Sequence, residues 1–143
     1  MIRITSIKRC HVADYDDIYL IIRSTDSLKK SKSSILQRST HVPALAPSKE
    51  LFYKYLNLER DGSWNENSFN TIFKPMFEKE IKNNAAAESW FEKIINDDNN
   101  GRKIALLTYT ANEKLCHRSI IGEILRDRGC NVIFDKDTKR GCN

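Results

Sequence analysis

The sequence lacks a long apolar run and a signal peptide, and each absence excludes a class of protein. No apolar segment approaches the roughly 18 residues that a membrane-spanning helix needs, so we expect no membrane association. The N-terminal segment MIRITSIKRCHVADYDD has no apolar core of signal-peptide length and reaches acidic residues early. These features predict a mature intracellular protein, which we assign to the cytoplasm.

The cysteines are few and widely spaced. Zinc ribbons and thioredoxin-type sites both use C-x-x-C pairs, and this chain has none. The acidic residues that follow His11 are interpreted as a solvated connection, because carboxylates in turns usually hydrogen-bond their own backbone. We therefore expect isolated thiols, no metal site and no cofactor. The thiols belong to Cys10, Cys116, Cys130 and Cys142, and the acidic residues are Asp14, Asp16 and Asp17.

The length of the chain indicates how many domains it forms, and its net charge indicates the charge of its partners. A chain of 143 residues has the size of one domain, and such a domain buries about two thirds of its unfolded surface. The net charge of +5 favours anionic partners such as a nucleotide or a nucleic acid. A charge of this size is also common in proteins that bind neither, so it is a weak indication.

Hydrophobic periodicity predicts strands at both ends of the chain. MIRITSIK alternates apolar and polar residues, which indicates a half-buried edge strand. The denser apolar run from Ile18 to Ile22 predicts a buried central strand. RKIALLTYT, from Arg102 to Thr110, and CNVIF, from Cys130 to Phe134, predict two more.

Start and stop signals predict the helices. The first helix begins near Pro47 and Ser48, and the second begins at Ser63, whose spacing to Glu66 is that of a capping box. Pro75 is expected to break or kink the second helix, because proline removes a donor and clashes with the preceding turn. A third helix begins at Asn84 and a last one ends at Gly129; the aromatic residues that recur at helical spacing are interpreted as core.

The order of these elements predicts the fold class. A strand, three helices, a strand, a helix and a strand are typical of an α/β fold with a covered parallel sheet. We expect a single three-layer domain over residues 1–143, with a mostly parallel sheet of four to five short strands flanked by helices. Residues 135–143 are polar and are expected to form a flexible tail.

A basic segment from Ser27 to His41 contains no acidic residue and is rich in serine. It predicts a mobile basic loop inserted into the domain. Such a loop can screen the charge of a phosphate backbone without reading bases, or it can be a solvated connection. The candidate nucleic-acid-binding residues are Lys29, Lys30, Lys32 and Arg38.

Three reactive or charged side chains are adjacent at Cys116, His117 and Arg118. If the strand that ends at Thr110 is central, they lie at the carboxyl edge of the sheet, where ligands bind in open α/β folds. The start of a helix and neighbouring cations both favour a thiolate, so the pKa of Cys116 is expected to fall and the thiol to be nucleophilic. Arg118 can bind a phosphate or carboxylate with its planar fork, and His117 can transfer protons.

Two structural alternatives remain open at this point. If Asn112 caps an earlier helix start, then Cys116, Ile120 and Ile124 share one face and the thiol is buried core. If Cys116 is itself near the cap, Leu115 packs on Ile120 and leaves His117 and Arg118 at the rim.

Two segments carry a resemblance to a known family. VPALAPSKELF, from Val42 to Phe52, and IALLTYTANEKLCHRSIIGEIL, from Ile104 to Leu125, resemble the domain-of-unknown-function 488 family. The resemblance implies an α/β domain whose Cys-His-Arg turn lies at an active site and faces an arginine after an early strand. Arg23 matches that arginine best, and Leu45, Ala46, Pro47 and Ser48 match the second motif. Many relatives carry Leu-Leu-Cys-x-Glu before the turn, where this chain has Thr108 and Thr110.

Three functional hypotheses follow. The first is a small enzyme that acts on a nucleotide, a nucleic acid or another phosphorylated substrate. The second is a non-catalytic nucleotide-binding or nucleic-acid-binding module, and the third is a module that binds a protein partner through the basic segment. The candidate catalytic residues are Cys116, His117 and Arg118, and the candidate anion-binding residues are Arg23, Ser24, Pro47, Ser48, Arg118 and Ser119.

Overall fold

Five parallel strands form the centre of the fold. The structure is a computed structural model that describes residues 1–109 and 116–135. The strands are β1 Ile2–Ser6, β2 Asp17–Leu20, β3 Thr40–His41, β4 Ile104–Thr108 and β5 Val132–Phe134. They lie in the order β3-β2-β4-β1-β5, and every neighbouring pair is parallel. The predicted α/β fold with a parallel sheet is confirmed.

Helices cover both faces of this sheet. Because strand side chains alternate, Tyr19 and Ile21 face one helical layer while Ile18, Leu20 and Ile22 face the other. The first layer contains α3 Lys49–Arg60, α5 Lys74–Lys82, α6 Ala85–Asn99 and α7 His117–Asp127. The second contains α1 Asp26–Lys30 and α2 Ile35–Arg38. The remaining helical segments are α4 Glu66–Ser68 and short 3-10 turns at Ile7–Arg9, Val12–Asp14 and Pro43–Leu45.

The prediction that the first strand is an edge strand is wrong. β1 lies between β4 and β5, and Ile2 and Ile4 are fully buried. The polar residues that alternate with them, Arg3 and Thr5, each have a hydrogen-bond partner in the fold, and the Arg3 side chain is 36% exposed. The Arg3 guanidinium donates to Asp135 over 2.9 Å, and the Thr5 hydroxyl donates to the same carboxylate. Asp135 follows β5, which explains why the pattern near the N-terminus resembled an edge.

The segment from Ser27 to His41 is more ordered than the loop predicted for it. It contains most of α1, all of α2 and the edge strand β3. Leu28 and Ile35 are buried against the β2 side chains, and these two apolar residues hold the segment on the sheet. The predicted tail is described only at Asp135; positions 136–143 lie outside the described residues.

The second long helical region differs from its prediction at the cap and at Pro75. The capping box pairs Asn65 with Ser68, and each side chain accepts from the other's backbone N–H over 2.9 Å, so the predicted pair Ser63 and Glu66 is wrong. The chain stays helical through Pro75, because residues Phe69–Phe73 form a π-helical turn directly before α5. This wider turn places the proline at the second position of α5, where its missing donor costs little.

The other helix boundaries agree with the sequence signals. Ser48 caps α3 by accepting from the Leu51 N–H over 3.1 Å, and Asn84 caps α6. The helix α7 ends two residues before Gly129, whose φ of 93° suits glycine.

Candidate functional site

A cavity opens at the carboxyl ends of β2 and β4, beside the start of α7. Its volume is about 300 Å³. Neighbouring parallel strands end at the same edge of a sheet, so this is the edge at which α/β proteins bind ligands. The polar part of its lining comes from three separate segments and consists of Arg23, Ser24, Ser27, Thr108, Tyr109, Cys116 and His117.

Cys116 is the N-cap residue of α7 and lines the cavity. Its surface is only 3% exposed, and its side chain does not cap the helix. Since α7 begins at His117, the structure agrees with the alternative that placed Cys116 at the cap. Asn112 and Leu115, which the two alternatives involved, lie outside the described residues.

His117 is fixed by a backbone carbonyl of the neighbouring strand segment. Its Nε2 lies 2.6 Å from the Ile21 carbonyl oxygen, and a carbonyl accepts only, so this nitrogen carries the proton. The ring packs edge-on against Phe77 with centroids 5.7 Å apart. Burial lowers the pKa of His117 to about 4, with a smaller contribution from the nearby Arg118 charge. At neutral pH the imidazole is therefore uncharged.

Arg118 and Ser119 lie behind the cavity instead of at its rim. Arg118 is 1% exposed, and its Nη1 donates to the Thr108 hydroxyl over 2.8 Å. The Ser119 hydroxyl donates to the Cys116 carbonyl over 3.0 Å, so it stabilises the first turn of α7. Neither side chain lines the cavity, whereas Thr108 connects Arg118 to it. The rim position expected for His117 and Arg118 is wrong for Arg118.

Arg23 and Ser24 line the same cavity as Cys116. Arg23 is exposed, and its guanidinium carbon lies 5.7 Å from the centre of the Phe52 ring. The Ser24 carbonyl accepts from the Tyr109 hydroxyl over 2.5 Å, which ties the segment after β2 to the segment after β4. The structure therefore brings Arg23, Ser24 and Cys116 to one cavity although more than 90 positions separate the arginine from the cysteine.

Pro47 and Ser48 are divided between this cavity and a neighbouring groove. Pro47 lines both, and Ser48 lines only the groove, whose volume is about 560 Å³. The Ser48 backbone N–H donates to a Glu80 carboxylate oxygen over 3.0 Å, and its hydroxyl donates to the other oxygen. The Glu80 carboxylate thus occupies the start of α3, where another anion could otherwise bind.

The basic residues of the segment 27–41 surround α1 and α2. Lys29, Lys30 and Lys32 are exposed, and Arg38 donates to the Tyr15 carbonyl over 3.2 Å. None of the four lines the cavity, although Ser27 at the start of α1 does.

The chain matches the model of a known protein family. The family model described as "DUF488-N3a: Active DUF488-N3 subclade" matches residues 2–129. The chain belongs to the DUF488 family. The match runs from β1 to the end of α7, so it includes both strand ends and the helix start that form the cavity. No curated protein and no solved structure matches this chain.

Sequence reasoning missed the apolar wall of this DUF488 cavity. Phe52, Tyr55, Trp64 and Phe73 line it. The interpretation of the helical aromatic residues as core is confirmed for Phe73, which is buried, and for Tyr55, which packs against the core, but both residues also line the cavity. The available signal was Trp64, a large apolar residue outside the helical stripes and directly before the Asn65 cap. Phe73 reaches the wall from the π-helical turn, and no sequence signal predicted that turn.

The part of this DUF488 domain that the structure describes has neither a metal-binding cluster nor a helix that could span a membrane. Among residues 1–109 and 116–135, no group of three histidine, cysteine or acidic side chains is arranged to hold a metal ion. No helix within the same residues has the length and apolar character needed to cross a membrane.

Proposed function

We propose that this protein is an enzyme that acts on a phosphorylated substrate, with Arg23 as the anion-binding residue and Cys116 as the nucleophile. One observation supports this most directly: Cys116 and Arg23 line the same cavity, at the carboxyl edge of the sheet and at the start of an 11-residue helix. The positive end of a helix dipole favours both a bound anion and a thiolate.

The other residues of the motif have supporting roles in this proposal. Neutral His117 holds the start of α7 against the Ile21 carbonyl and thereby positions Cys116. Arg118 orients the Thr108 hydroxyl, which lines the cavity, and adds positive charge behind it. In the chemical step the thiolate sulfur would bond to an electrophilic substrate atom while the leaving group departs with its electron pair and takes a proton from water.

The family description supports catalysis over passive binding. It calls the matching subclade active, which is a statement about the subclade. This chain retains Cys116, His117 and Arg118, whereas Thr108 occupies the region where many relatives carry cysteine. Because β4 carries no thiol, Cys116 would have to act as nucleophile without a second cysteine in that strand.

The test measures alkylation of each cysteine by iodoacetamide at several pH values, with the modified peptides identified by mass spectrometry. We expect Cys116 to react at a rate that has levelled off by about pH 7 and that saturating inorganic phosphate or ribose 5-phosphate slows by about tenfold. Burial raises the pKa of the Cys10 and Cys130 thiols, so their rates should still rise above that pH and should not respond to phosphate. A Cys116 rate that phosphate esters leave unchanged would contradict the anion site.

A non-catalytic binding module is the second candidate, and the low exposure of Cys116 favours it. In that case the cavity binds the anion, and the exposed lysines around α1 contact a longer nucleic acid. The decisive measurement is turnover of a panel of phosphate esters by the protein and by Cys116→Ser. Ligand binding that persists in both, with no product from either, would support the module and contradict the enzyme.

A further inference from the structure

The cavity has an aromatic wall in addition to its polar residues. Phe52 and Tyr55 reach it from α3, Trp64 from the connection after α3, and Phe73 from the π-helical turn. Tyr109 lines it from the end of β4. Five aromatic rings in one small cavity are a suitable surface for a planar aromatic ligand, because flat rings stack or contact one another edge to face.

Ring contacts hold this wall in place before any ligand binds. Trp64 packs edge-on against Tyr55 and Phe73, with centroids 4.7 and 5.6 Å apart. Phe69 and Phe73 stack across the π-helical turn at 5.8 Å, and Phe69 is buried. A π-helical turn is rare and is frequent at functional sites. Here the turn places Phe73 at the cavity and against Phe69, and both of these rings pack edge-on against Trp64.

The anion-binding side is close to this wall. The guanidinium of Arg23 lies 5.7 Å from the Phe52 ring centre, so the cationic group and an aromatic surface are within the dimensions of one small ligand. A ligand that fills both must join a planar ring to a single anionic group through a short linker.

The neighbouring groove is unfavourable for additional anionic groups. It shares Arg23 and Pro47 with the cavity, so a longer ligand would leave the cavity along it. Its charged lining consists of Arg23, Lys49, Glu50 and Glu80, so the two cations are balanced by two carboxylates. Ser48 holds the Glu80 carboxylate with two hydrogen bonds, so the N-terminus of α3, which could bind a further phosphate, is already occupied.

We infer that the cavity binds a nucleoside monophosphate, with the base against the aromatic wall and the phosphate at Arg23. This inference rests on the proposed anion site and adds the class of substrate to it. It excludes two other classes that the cavity's position alone would allow: phosphate esters without an aromatic ring, and nucleic-acid strands that follow the groove.

The two tryptophans of the chain provide a direct test. Trp64 lines the cavity, whereas Trp90 packs against Tyr19 in the core with centroids 5.4 Å apart and does not line it. In the variant Trp90→Phe all tryptophan fluorescence comes from Trp64, and in Trp64→Phe it comes from Trp90. We expect adenosine and uridine monophosphates to quench Trp90→Phe saturably and to leave Trp64→Phe unchanged apart from their absorbance.

Calorimetric titrations of the unmodified protein then compare ligand classes. We expect a nucleoside monophosphate to bind at least about tenfold more tightly than ribose 5-phosphate, because base stacking on aromatic side chains supplies that difference. Phe52→Leu should lose most of this preference, whereas Tyr53→Leu, at the exposed next position of α3, should keep it.

Each outcome separates this inference from the function on which it rests. Equal affinities for ribose 5-phosphate and the monophosphates would overturn the inference and leave the anion site intact. Tighter binding of a short oligonucleotide would also overturn it, since the groove would then accept further phosphates. If nucleosides bind as tightly as their monophosphates and none protects Cys116 from iodoacetamide, both the inference and the proposed anion site are wrong.

Discussion

The three adjacent side chains at the start of α7 have different surroundings because successive helical positions are about 100° apart. Cys116 lines the cavity, His117 contacts a carbonyl of the neighbouring strand segment, and Arg118 donates to Thr108 behind the cavity. Cys116 and His117 line the cavity, whereas Arg118 does not. The predicted triad therefore divides into one candidate nucleophile and two groups that position it.

Replacement of Cys116 by serine tests whether the thiol is needed for turnover or for stability. Serine is a strong N-cap residue, and its hydroxyl can accept from the first turn of α7, which the thiol does not do. This gain of about 1 kcal/mol offsets the cost of placing a hydroxyl at a buried position. We expect the free energy of unfolding in urea to change by less than about 1 kcal/mol, with turnover lost. A loss larger than about 2 kcal/mol would show that the thiol is needed for packing.

The lowered pKa of His117 predicts that the free energy of unfolding depends on pH. Its pKa in the fold is about 4, below the ordinary value of 6.5, so the unfolded chain binds the proton more readily. The contribution of His117 to stability is therefore complete above about pH 6.5 and is lost as the pH falls towards 4. The loss should be between about 1 and 3 kcal/mol, since one pKa unit corresponds to about 1.4 kcal/mol.

The matched variants for this pH dependence are His117→Gln and His11→Gln. Glutamine can still donate to the Ile21 carbonyl but does not titrate, so the first variant should flatten the urea-unfolding stability between about pH 4 and 6.5. His11 is exposed, so the second should retain the slope. An unchanged slope in His117→Gln would assign the effect to other groups.

The residues of this site could be predicted from the sequence, whereas the contact that holds His117 could not. Helix capping is a local property, so a helix start near Cys116 and the caps at Ser48 and Asn84 could be predicted from neighbouring residues. The partner of His117 could not, because Ile21 is 96 positions away and a carbonyl carries no side-chain signal.

At the scale of elements, α7 packs closely on the sheet at Gly122. A Cβ atom added there would lie 2.6 Å from the Phe134 ring and 3.0 Å from the Ile4 side chain. The first distance is shorter than real Cβ contacts allow and the second is at the tight limit, so the glycine sets the separation of α7 from β1 and β5. The position of α7 in turn fixes Cys116 at the cavity.

We expect Gly122→Ala to destabilise the protein by about 1 to 2 kcal/mol. Overpacking costs typically 1 to 3 kcal/mol, and the higher helix propensity of alanine returns at most about 1 kcal/mol. Urea unfolding should show a smaller penalty for Gly122→Ala in a Phe134→Leu background, because the nearest clashing atoms belong to the Phe134 ring. Equal penalties in both backgrounds would contradict this account of the contact.

Element order was predictable from the sequence, and element position was not. Periodicity is local, so the buried runs of β2 and β4 and the helices α3 and α6 were recognisable. Whether a strand lies at an edge depends on distant pairing, and Asp135 supplied β1 with polar partners from the other end of the chain. In the basic segment, two buried apolar residues outweighed a composition typical of loops.

At the scale of the whole molecule, the basic segment and the cavity are separate features. The net charge is +5, yet the lysines of the basic segment do not line the cavity, and the groove that leads from it carries carboxylates. The overall charge attracts anions of any length, whereas we propose that the cavity binds a short one. The enzyme and the binding module therefore predict different responses when lysines are neutralised.

The triple variant Lys29→Gln, Lys30→Gln, Lys32→Gln distinguishes these two functions. Each phosphate contact of a single strand contributes about 0.7 to the slope of log affinity against log salt, so the binding module predicts that the slope for a short oligonucleotide falls by about 2. The enzyme predicts no such fall, because its substrate binds in the cavity, which these lysines do not line. The affinity for a nucleoside monophosphate and the iodoacetamide rate of Cys116 should stay unchanged, because none of these lysines lines the cavity.

The control variant neutralises Lys54, Lys79 and Lys82, which are exposed on the other helical layer, and so removes the same amount of charge. A similar slope change in the control would show that only net charge matters, and a loss of nucleotide affinity confined to the first variant would show that the basic segment belongs to the site.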